Sequence, residues 1–377
     1  MLRRIAWPTL LFVLASGCNE PVADDPTLFG VNLPPMQGTT DSGAFLPGVY
    51  TLHYDFTPSE PVGAGSALKV NDRRLIDSAD VRFTLDAGRQ ESIGTGLEFN
   101  AFRIPINTAT AMDPAMLDRI RGYFNRVDDR GVVCMMDTLN PGETGHGDGR
   151  INDTDEMAEA WAAIHQRLGT LADVQYEVFN EPFGYHTRGN PWSHDAAAAR
   201  DYLERGVLEV IRKTNARLAR LGLEPVPDRK WILSAMGYAS AVEPVIGYFD
   251  RHRNLYRYDL AVHYYPWWLP AGQREADAFA DWLITNLADD RHRYHLTEYG
   301  APLRFPGVPD RTFLRRDLSD NSGDVHGSIN ALEGLRRALP RLNLAGLYHW
   351  HGWNNGDTYS IQSPANTAGA AKIRELK

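Results

Sequence analysis

The chain has 377 residues, 43% of them hydrophobic and 23% charged, and a formal net charge of −9. That acidity, with no Lys/Arg cluster beyond scattered helix faces such as Arg336-Arg337, argues against a nucleic-acid partner. The length admits two average domains or one α/β barrel with insertions, a fold that runs from about 250 to over 400 residues.

Arg3 and Arg4 precede the apolar run Leu10–Ala15, and Ser16-Gly17 leads into Cys18. A charged start, a short apolar core and small residues make an export signal. Leu14-Ala15-Ser16-Gly17-Cys18 is similar to the bacterial lipoprotein box. The similarity implies removal of residues 1–17 and lipidation of Cys18; an ordinary cleaved signal with an incidental Cys18 is the alternative. The apolar core is too short to span a bilayer. Membrane contact is therefore expected only through the lipid, on an exported protein facing the periplasm or the cell exterior. Residues 18–27, polar and with two prolines, read as a tether. One domain is expected over residues 28–377. Cys134 is the only other cysteine, within the apolar run Val132–Met136, so no disulfide framework is available and a buried strand position is expected.

From there short apolar runs alternate with longer amphipathic stretches. The expected strands are Leu28–Leu33, Phe99–Ile106, Val132–Asp137, Val174–Asn180, Trp231–Met236, Tyr258–Tyr264, Tyr294–Glu298 and Leu344–Trp350. Asp113-Pro114 signals a helix start, and Leu117, Ile120, Phe124 and Val127 keep helical spacing. Further helices are expected over Asp195–Arg220, Ala276–Leu287 and Gly327–Leu339. Eight nearly continuous apolar strands alternating with helices predict an α/β fold, a (β/α)8 TIM barrel forming a single domain with long inserted loops. A doubly wound open sheet is the alternative, but the glycine-rich phosphate fingerprint is missing. The Gly-, Pro- and aromatic-rich stretch Pro34–Phe83 is the longest connection, expected to pack on the barrel or, less simply, to form a small β-subdomain.

Two segments carry the chemistry, Val-Phe-Asn-Glu-Pro at 178–182 and His-Leu-Thr-Glu-Tyr-Gly at 295–300. Each ends an apolar strand on a glutamate and then turns on Pro or Gly. In a parallel barrel all such strand ends open on one face, where catalytic groups collect. A single Glu at a loop is ordinarily just salt-bridged. Two converging on one cleft are what glycosidic-bond hydrolysis needs, one to protonate the leaving oxygen and one to attack or to activate water.

The order of the motifs adds a family. Phe29-Gly30-Val31-Asn32 opens the first strand and Phe102-Arg103-Ile104-Pro105 ends the second. Asn180-Glu181-Pro182 follows the fourth, His263-Tyr264-Tyr265 the sixth, Thr297-Glu298 the seventh and Trp350 the eighth. This succession resembles glycoside hydrolase family 5, the cellulase-type retaining (β/α)8 glycosidases, over most of residues 28–355. The resemblance implies double displacement with Glu181 as acid/base and Glu298 as nucleophile. It implies that Asn180 bonds the sugar 2-hydroxyl, that Arg103 orients Glu298, that Tyr265 donates to Glu298 and that His263 stands by the pair. Trp350 would floor the cleavage point, with Trp353 as the alternative in His349-Trp350-His351-Gly352-Trp353. No metal or organic cofactor is implied, the expected partner is an oligo- or polysaccharide, and a monomer is expected.

One departure concerns the third strand. Family members commonly carry a His soon after its closing Asp, whereas here Asp137-Thr138-Leu139-Asn140 has none until His146. Either His146 swings in or that part of the cleft differs. Asp148–Asp155 looks like the second half of a calcium loop, but its earlier ligand positions fall on Thr144 and His146. A loop whose Asn152 or Asp153 caps the next helix is the favoured reading. Tyr264, Pro266, Trp267 and Trp268 form an aromatic patch, expected to be partly exposed and to stack further sugars. The sequence favours an endo-acting β-glucanase or β-mannanase. An exo-acting or oligosaccharide-specific β-glycosidase, and a carbohydrate-binding lipoprotein without turnover, are the alternatives.

Overall fold

The structure, a computed structural model, describes residues 28–33, 49–51, 75–77, 99–136, 149–185, 195–288, 291–300, 328–350 and 367–376. The predicted leader and tether with Cys18, the loop holding His146, and Trp353 lie outside the described residues. Strand β1 (Leu28–Asn32) is followed by β2 (Val49–Thr51) and β3 (Leu75–Asp77), which pair with each other as an antiparallel ribbon. Within the long first connection, that ribbon was named by no predicted strand. Then come β4 (Ala101–Ile106), β5 (Gly131–Met135), β6 (Val174–Glu177), β7 (Trp231–Ser234), β8 (Asp259–Tyr264), β9 (Tyr294–Tyr299) and β10 (Leu344–His349).

These last seven and β1 pair in parallel in the order β1-β10-β9-β8-β7-β6-β5-β4 and close on themselves. Closure sets Leu28 to Val31 beside Gly346 to His349, and Gly30 to Asn32 beside Ala101 to Arg103. Each predicted apolar run holds one barrel strand. Every residue of β4, β8, β9 and β10 is buried, as expected of strands covered on both faces.

Aspartates start three of the described helices, at Asp113, Asp153 and Asp195. Asp113 accepts from the amides of Ala115 and Met116 and opens Pro114–Phe124, whose Leu117, Ile120 and Phe124 are buried. Asp153 caps Thr154–Leu168 through the amides of Asp155 and Glu156. Trp161 on that helix packs against Tyr176 and Trp231, 5.4 and 5.6 Å between ring centres, and so seats it outside β6 and β7. The predicted helix over Asp195–Arg220 is present as Ala196–Asp201 and Leu208–Arg220, joined by a π-helical stretch Tyr202–Val207. Ala276–Leu287 and Ser328–Ala338 lie where two further helices were expected. Among the described residues no helix is long and apolar enough to cross a membrane.

Inside the barrel, Ala101, Val132, Ile232, Ala261 and Tyr348 form an apolar plug. Gly30 makes room for it, since a Cβ there would sit 2.3 Å from the Tyr348 ring. Side chains return to the same face of a strand every second residue. The plug positions on β4, β5, β7 and β8 are thus followed on the same inner face by Arg103, Cys134, Ser234 and His263. A polar layer crowns the plug at the strands' C-terminal ends.

Candidate active site

Arg103 is the centre of that layer and is fully buried. Its Nε donates to Glu177 Oε2 at 2.7 Å. Nη1 donates to Asn32 Oδ1 and to Glu298 Oε1, both at 2.7 Å. Nη2 donates to Asn180 Oδ1 at 2.6 Å and to Cys134 Sγ at 3.0 Å. A guanidinium has five N–H donors, and all are spent. Burial works against the charge, but the surrounding groups, Glu177 and Glu298 among them, outweigh it and hold the arginine protonated.

Glu298 and Thr297 both reach this interior although they are consecutive. The pairing of β8 with β9 steps from Val262↔Leu296 to His263↔Glu298, so Thr297 is an extra residue. Such a bulge breaks the inward–outward alternation and re-aims side chains. Thr297 Oγ1 then donates to Glu177 Oε1 at 3.2 Å, and Glu298 meets Arg103. The hydroxyl of Tyr265 donates to the other Glu298 oxygen, Oε2, at 2.6 Å. Burial alone would raise the Glu298 pKa. His263, Arg103 and Tyr265 together overcome it and hold this carboxyl below the usual carboxylate range.

Glu181 follows β6, where the chain has left the sheet but is still tied to it by the Asn180 amide donating to the Met135 carbonyl at 2.8 Å. Its Oε1 lies 2.8 Å from His263 Nδ1. Burial pushes the Glu181 carboxyl up and the charge of Glu298 adds to that, with the His263 hydrogen bond pulling the other way. The two glutamates are therefore driven apart in proton affinity. Burial disfavours charge on His263, but Glu298 and Glu181 outweigh it and raise the imidazole pKa. One oxygen of each glutamate and a ring nitrogen of His263 lie within 4.8 Å of one another. That spacing would also suit a cation, but the Arg103 guanidinium against Glu298 already supplies positive charge there.

Of the predicted residues, Glu181, Glu298, Arg103, Asn180, His263 and Tyr265 are thus assembled in one cluster. Trp350 packs with Tyr265 and Met136 at its edge, and Trp268 lies against them. Trp268 Nε1 donates to the His263 carbonyl at 2.6 Å, and its ring meets that of Tyr265 edge-on at 6.0 Å. Trp268 is partly exposed, as expected, and Trp267 lies in the same short helix, Pro266–Trp268, its side chain outside the described residues. Tyr264 departs from the expected patch. It is buried between Phe279 and Trp282, and its hydroxyl donates to the Ala331 carbonyl at 2.8 Å. The parity of β8 explains this, since His263 faces inward and its neighbour must face the helices. In the loop over Asp148–Asp155, Asp153 caps the helix and Asp155 receives Lys213 Nζ at 2.7 Å; Asp148 is outside the described residues.

Three participants were missed in the sequence. Glu177 is a fully buried carboxylate at the end of β6. Asn32 braces Arg103 while its Nδ2 donates to the carbonyls of Thr297, Tyr348 and His349. Cys134 was expected in the core but not against the arginine; burial raises its thiol pKa against the pull of Arg103. For Glu177 the signal was present, a charge set between Tyr176 and Val178-Phe179 in a predicted strand.

Residues 94–302, more than half of the chain, match the family model described as Cellulase (glycosyl hydrolase family 5). No curated protein matches significantly. Among solved structures, the chain is similar to a family 5 xyloglucanase from Paenibacillus pabuli in complex with ligand, at 14% identity and a TM-score of 0.50, covering 92% of this chain and 98% of that one. It is also similar to a beta-mannanase from Streptomyces thermolilacinus with mannohexaose, at 17% identity and a TM-score of 0.43, covering 69% and 72%. A xyloglucan-specific beta-1,4-glucanase from a ruminal metagenomic library gives 13%, 0.49, 74% and 82% in the same order.

Proposed function

We propose, from the premise that the chain belongs to glycosyl hydrolase family 5, that it cleaves a β-linked glucan or mannan internally, by double displacement, with retention of anomeric configuration. It is an O-glycosyl hydrolase. The observation that carries the finer reading is the closeness of the two glutamates, with oxygens within 4.8 Å of each other and proton affinities pushed in opposite directions. Retaining enzymes hold their carboxyls about 5–5.5 Å apart, and inverting ones leave roughly 6.5–9.5 Å for a water.

In the first step Glu298, kept ionised by Arg103 and Tyr265, attacks C1 of the sugar. The C1–O bond breaks as Glu181 gives its proton to the departing oxygen, leaving a glycosyl ester on Glu298. In the second step the Glu181 carboxylate takes a proton from water, the water oxygen bonds to C1, and the ester bond to Glu298 breaks. Asn180 Nδ2 is buried and has no hydrogen-bond partner among the described residues, a donor suited to the sugar 2-hydroxyl. Trp350 supports the ring above Tyr265, and Trp268 offers a partly exposed face for the next sugar. Both proton transfer and attack come from side chains in this scheme, and no step is routed through a metal.

Incubating the protein with β-glucans, mannans and xylans should yield soluble oligosaccharides from one of the first two, first released as the β-anomer by proton NMR. An α-anomer would overturn double displacement. The pH profile follows from the shifts. Activity should rise with pH as Glu298 ionises and fall as Glu181 loses its proton, so the lowered Glu298 and the raised Glu181 widen the plateau. Glu181→Gln should lower hydrolysis of the polymer by roughly 10²- to 10⁴-fold, and the alkaline fall should vanish because glutamine does not titrate. An alkaline limb retained in the variant would place the acid elsewhere.

On the same reading the domain over residues 28–377 acts as a monomer. It is held outside the cytoplasm by lipid on Cys18, and an unmodified Cys18 in the mature protein would exclude that anchor.

A further inference from the structure

A second concave site lies at the other end of the barrel. A cavity of about 420 Å³ opens among the residues that lead into the strands, at the face opposite the glutamates. Arg130 stands immediately before β5, Arg229 and Lys230 before β7, and Arg293 before β9, and all four line it. Leu28, where the tether enters β1, lines it too. In a chain with a net charge of −9, this is a concentration of cations around one hollow.

The cations are not equivalent. Lys230 donates to the carbonyls of Leu171, Ala172 and Val174, which uses its three N–H bonds to hold the loop before β6. It shapes the cavity rather than serving a ligand. Arg229 and Arg293 approach the fully buried Asp259, at 3.1 and 3.8 Å, each through Nη1. Asp259 also accepts from Gln175 at 2.8 Å and lies 3.1 Å from His295 Nε2. It accepts a hydrogen bond from Arg229 and lies at ion-pair distance from Arg293, through one nitrogen of each, which leaves their other donors available, and their side chains are 61% and 36% exposed. Arg130, half-buried, forms no ion pair among the described residues. Asp173 is the acidic residue on the wall among the described residues, Asp259 lying behind it. Two guanidiniums beside a buried carboxylate, plus a third with no ion pair among the described residues, line the same hollow. Guanidinium N–H forks match the several oxygens of a phosphate better than a single carboxylate does.

We propose that this cavity binds a phosphate group, through Arg130, Arg229 and Arg293, carried either by an anionic phospholipid headgroup or by a free phosphate ester. The place fits both sources. If Cys18 carries lipid, at most about 36 Å of chain separates that lipid from Leu28 on the cavity wall.

The test uses the full-length protein and its Arg130→Ala/Arg229→Ala variant, with hydrolysis measured in parallel. Hydrolysis should be unchanged, so failure here and failure of the hydrolase reading are separable. Inorganic phosphate should bind the native protein one to one by calorimetry at low salt and bind the variant about tenfold more weakly. Arg130→Gln, which breaks no ion pair, should weaken binding even if the double variant does not fold. Vesicles of phosphatidylglycerol should retain the native protein more than the variant, and more than phosphatidylcholine vesicles do, if the source is a headgroup. An anchor alone would hold both proteins equally on both. Phosphate binding without that preference would assign a free phosphate ester. Absence of phosphate binding to the native protein, or equal binding by all three proteins, overturns the proposal.

Discussion

Glu298→Ala should lower kcat on the responsive polymer by on the order of 10⁵-fold while the protein remains folded. Alanine provides no oxygen to bond C1, so the glycosyl ester cannot form. What is left is the binding groove with Glu181 still able to protonate. The fold should tolerate the change because Arg103 keeps Glu177, Asn32, Asn180 and Cys134 as acceptors. The cost falls on two donors, Arg103 Nη1 and the Tyr265 hydroxyl, each losing one acceptor. Near-ultraviolet circular dichroism should match the native spectrum. Undiminished turnover by a folded Glu298→Ala protein would refute its assignment as nucleophile.

Arg103→Ala is expected to be the most damaging change to stability, at about 3–5 kcal/mol, measured by urea unfolding. The arginine is the only positive side chain hydrogen-bonded to Glu177 among the described residues, and Glu177 is fully buried. Removing one partner of a buried pair leaves an uncompensated charge, which costs more than the pair contributed. The pH dependence should also change sign. In the native protein Glu298 is held below the usual carboxylate range. Its stabilisation is present above the ordinary carboxylate pKa and is lost as pH falls through the lowered value. In the variant Glu298 keeps the burial that favours its proton and loses the arginine that opposed it, so stability should recover on acidification. Arg103→Lys should not rescue, because an ammonium has three donors and no fork to span five acceptors. A loss under about 1 kcal/mol at neutral pH would mean that the carboxylates find other partners.

The eight barrel strands were legible because parallel strands buried on both faces are written as unbroken apolar runs, as in Gly131–Met135 or Leu344–His349. Their ends were less so. Val178–Asn180 continues the apolar pattern past β6, and its backbone still hydrogen-bonds to the neighbouring strands, so composition there does not mark where the ladder stops. The ribbon β2–β3 lies in three-residue strands, too short for any periodicity.

Glu181 and Glu298 were legible because each sits where an apolar run meets a turn. Asn32 and Cys134 were not, since their part in the site depends on parity, and Glu177, visible as a charge, gave no sign of its partner. Knowing that Arg103 faces the axis requires knowing the register that sets it beside Val132 and Asn32. The bulge at Thr297 hides best of all, because strict alternation would have sent one of Thr297 and Glu298 outward. Tyr264 shows the same lesson in reverse, an aromatic beside the site in sequence and behind it in space.

The pairing of β1 with β10 joins residues 28–31 to 346–349. The first strand made must therefore wait, without its final neighbour, until nearly the whole chain has been synthesised. Contacts so remote in sequence form late, because the loop entropy of closing them comes due before they repay it. A ribosome-bound chain would already contain both glutamates yet lack the stave that seals the cask. Until that last strand arrives the others stay unlocked, and the buried polar layer that Asn32 shares with the carbonyls of Tyr348 and His349 is incomplete.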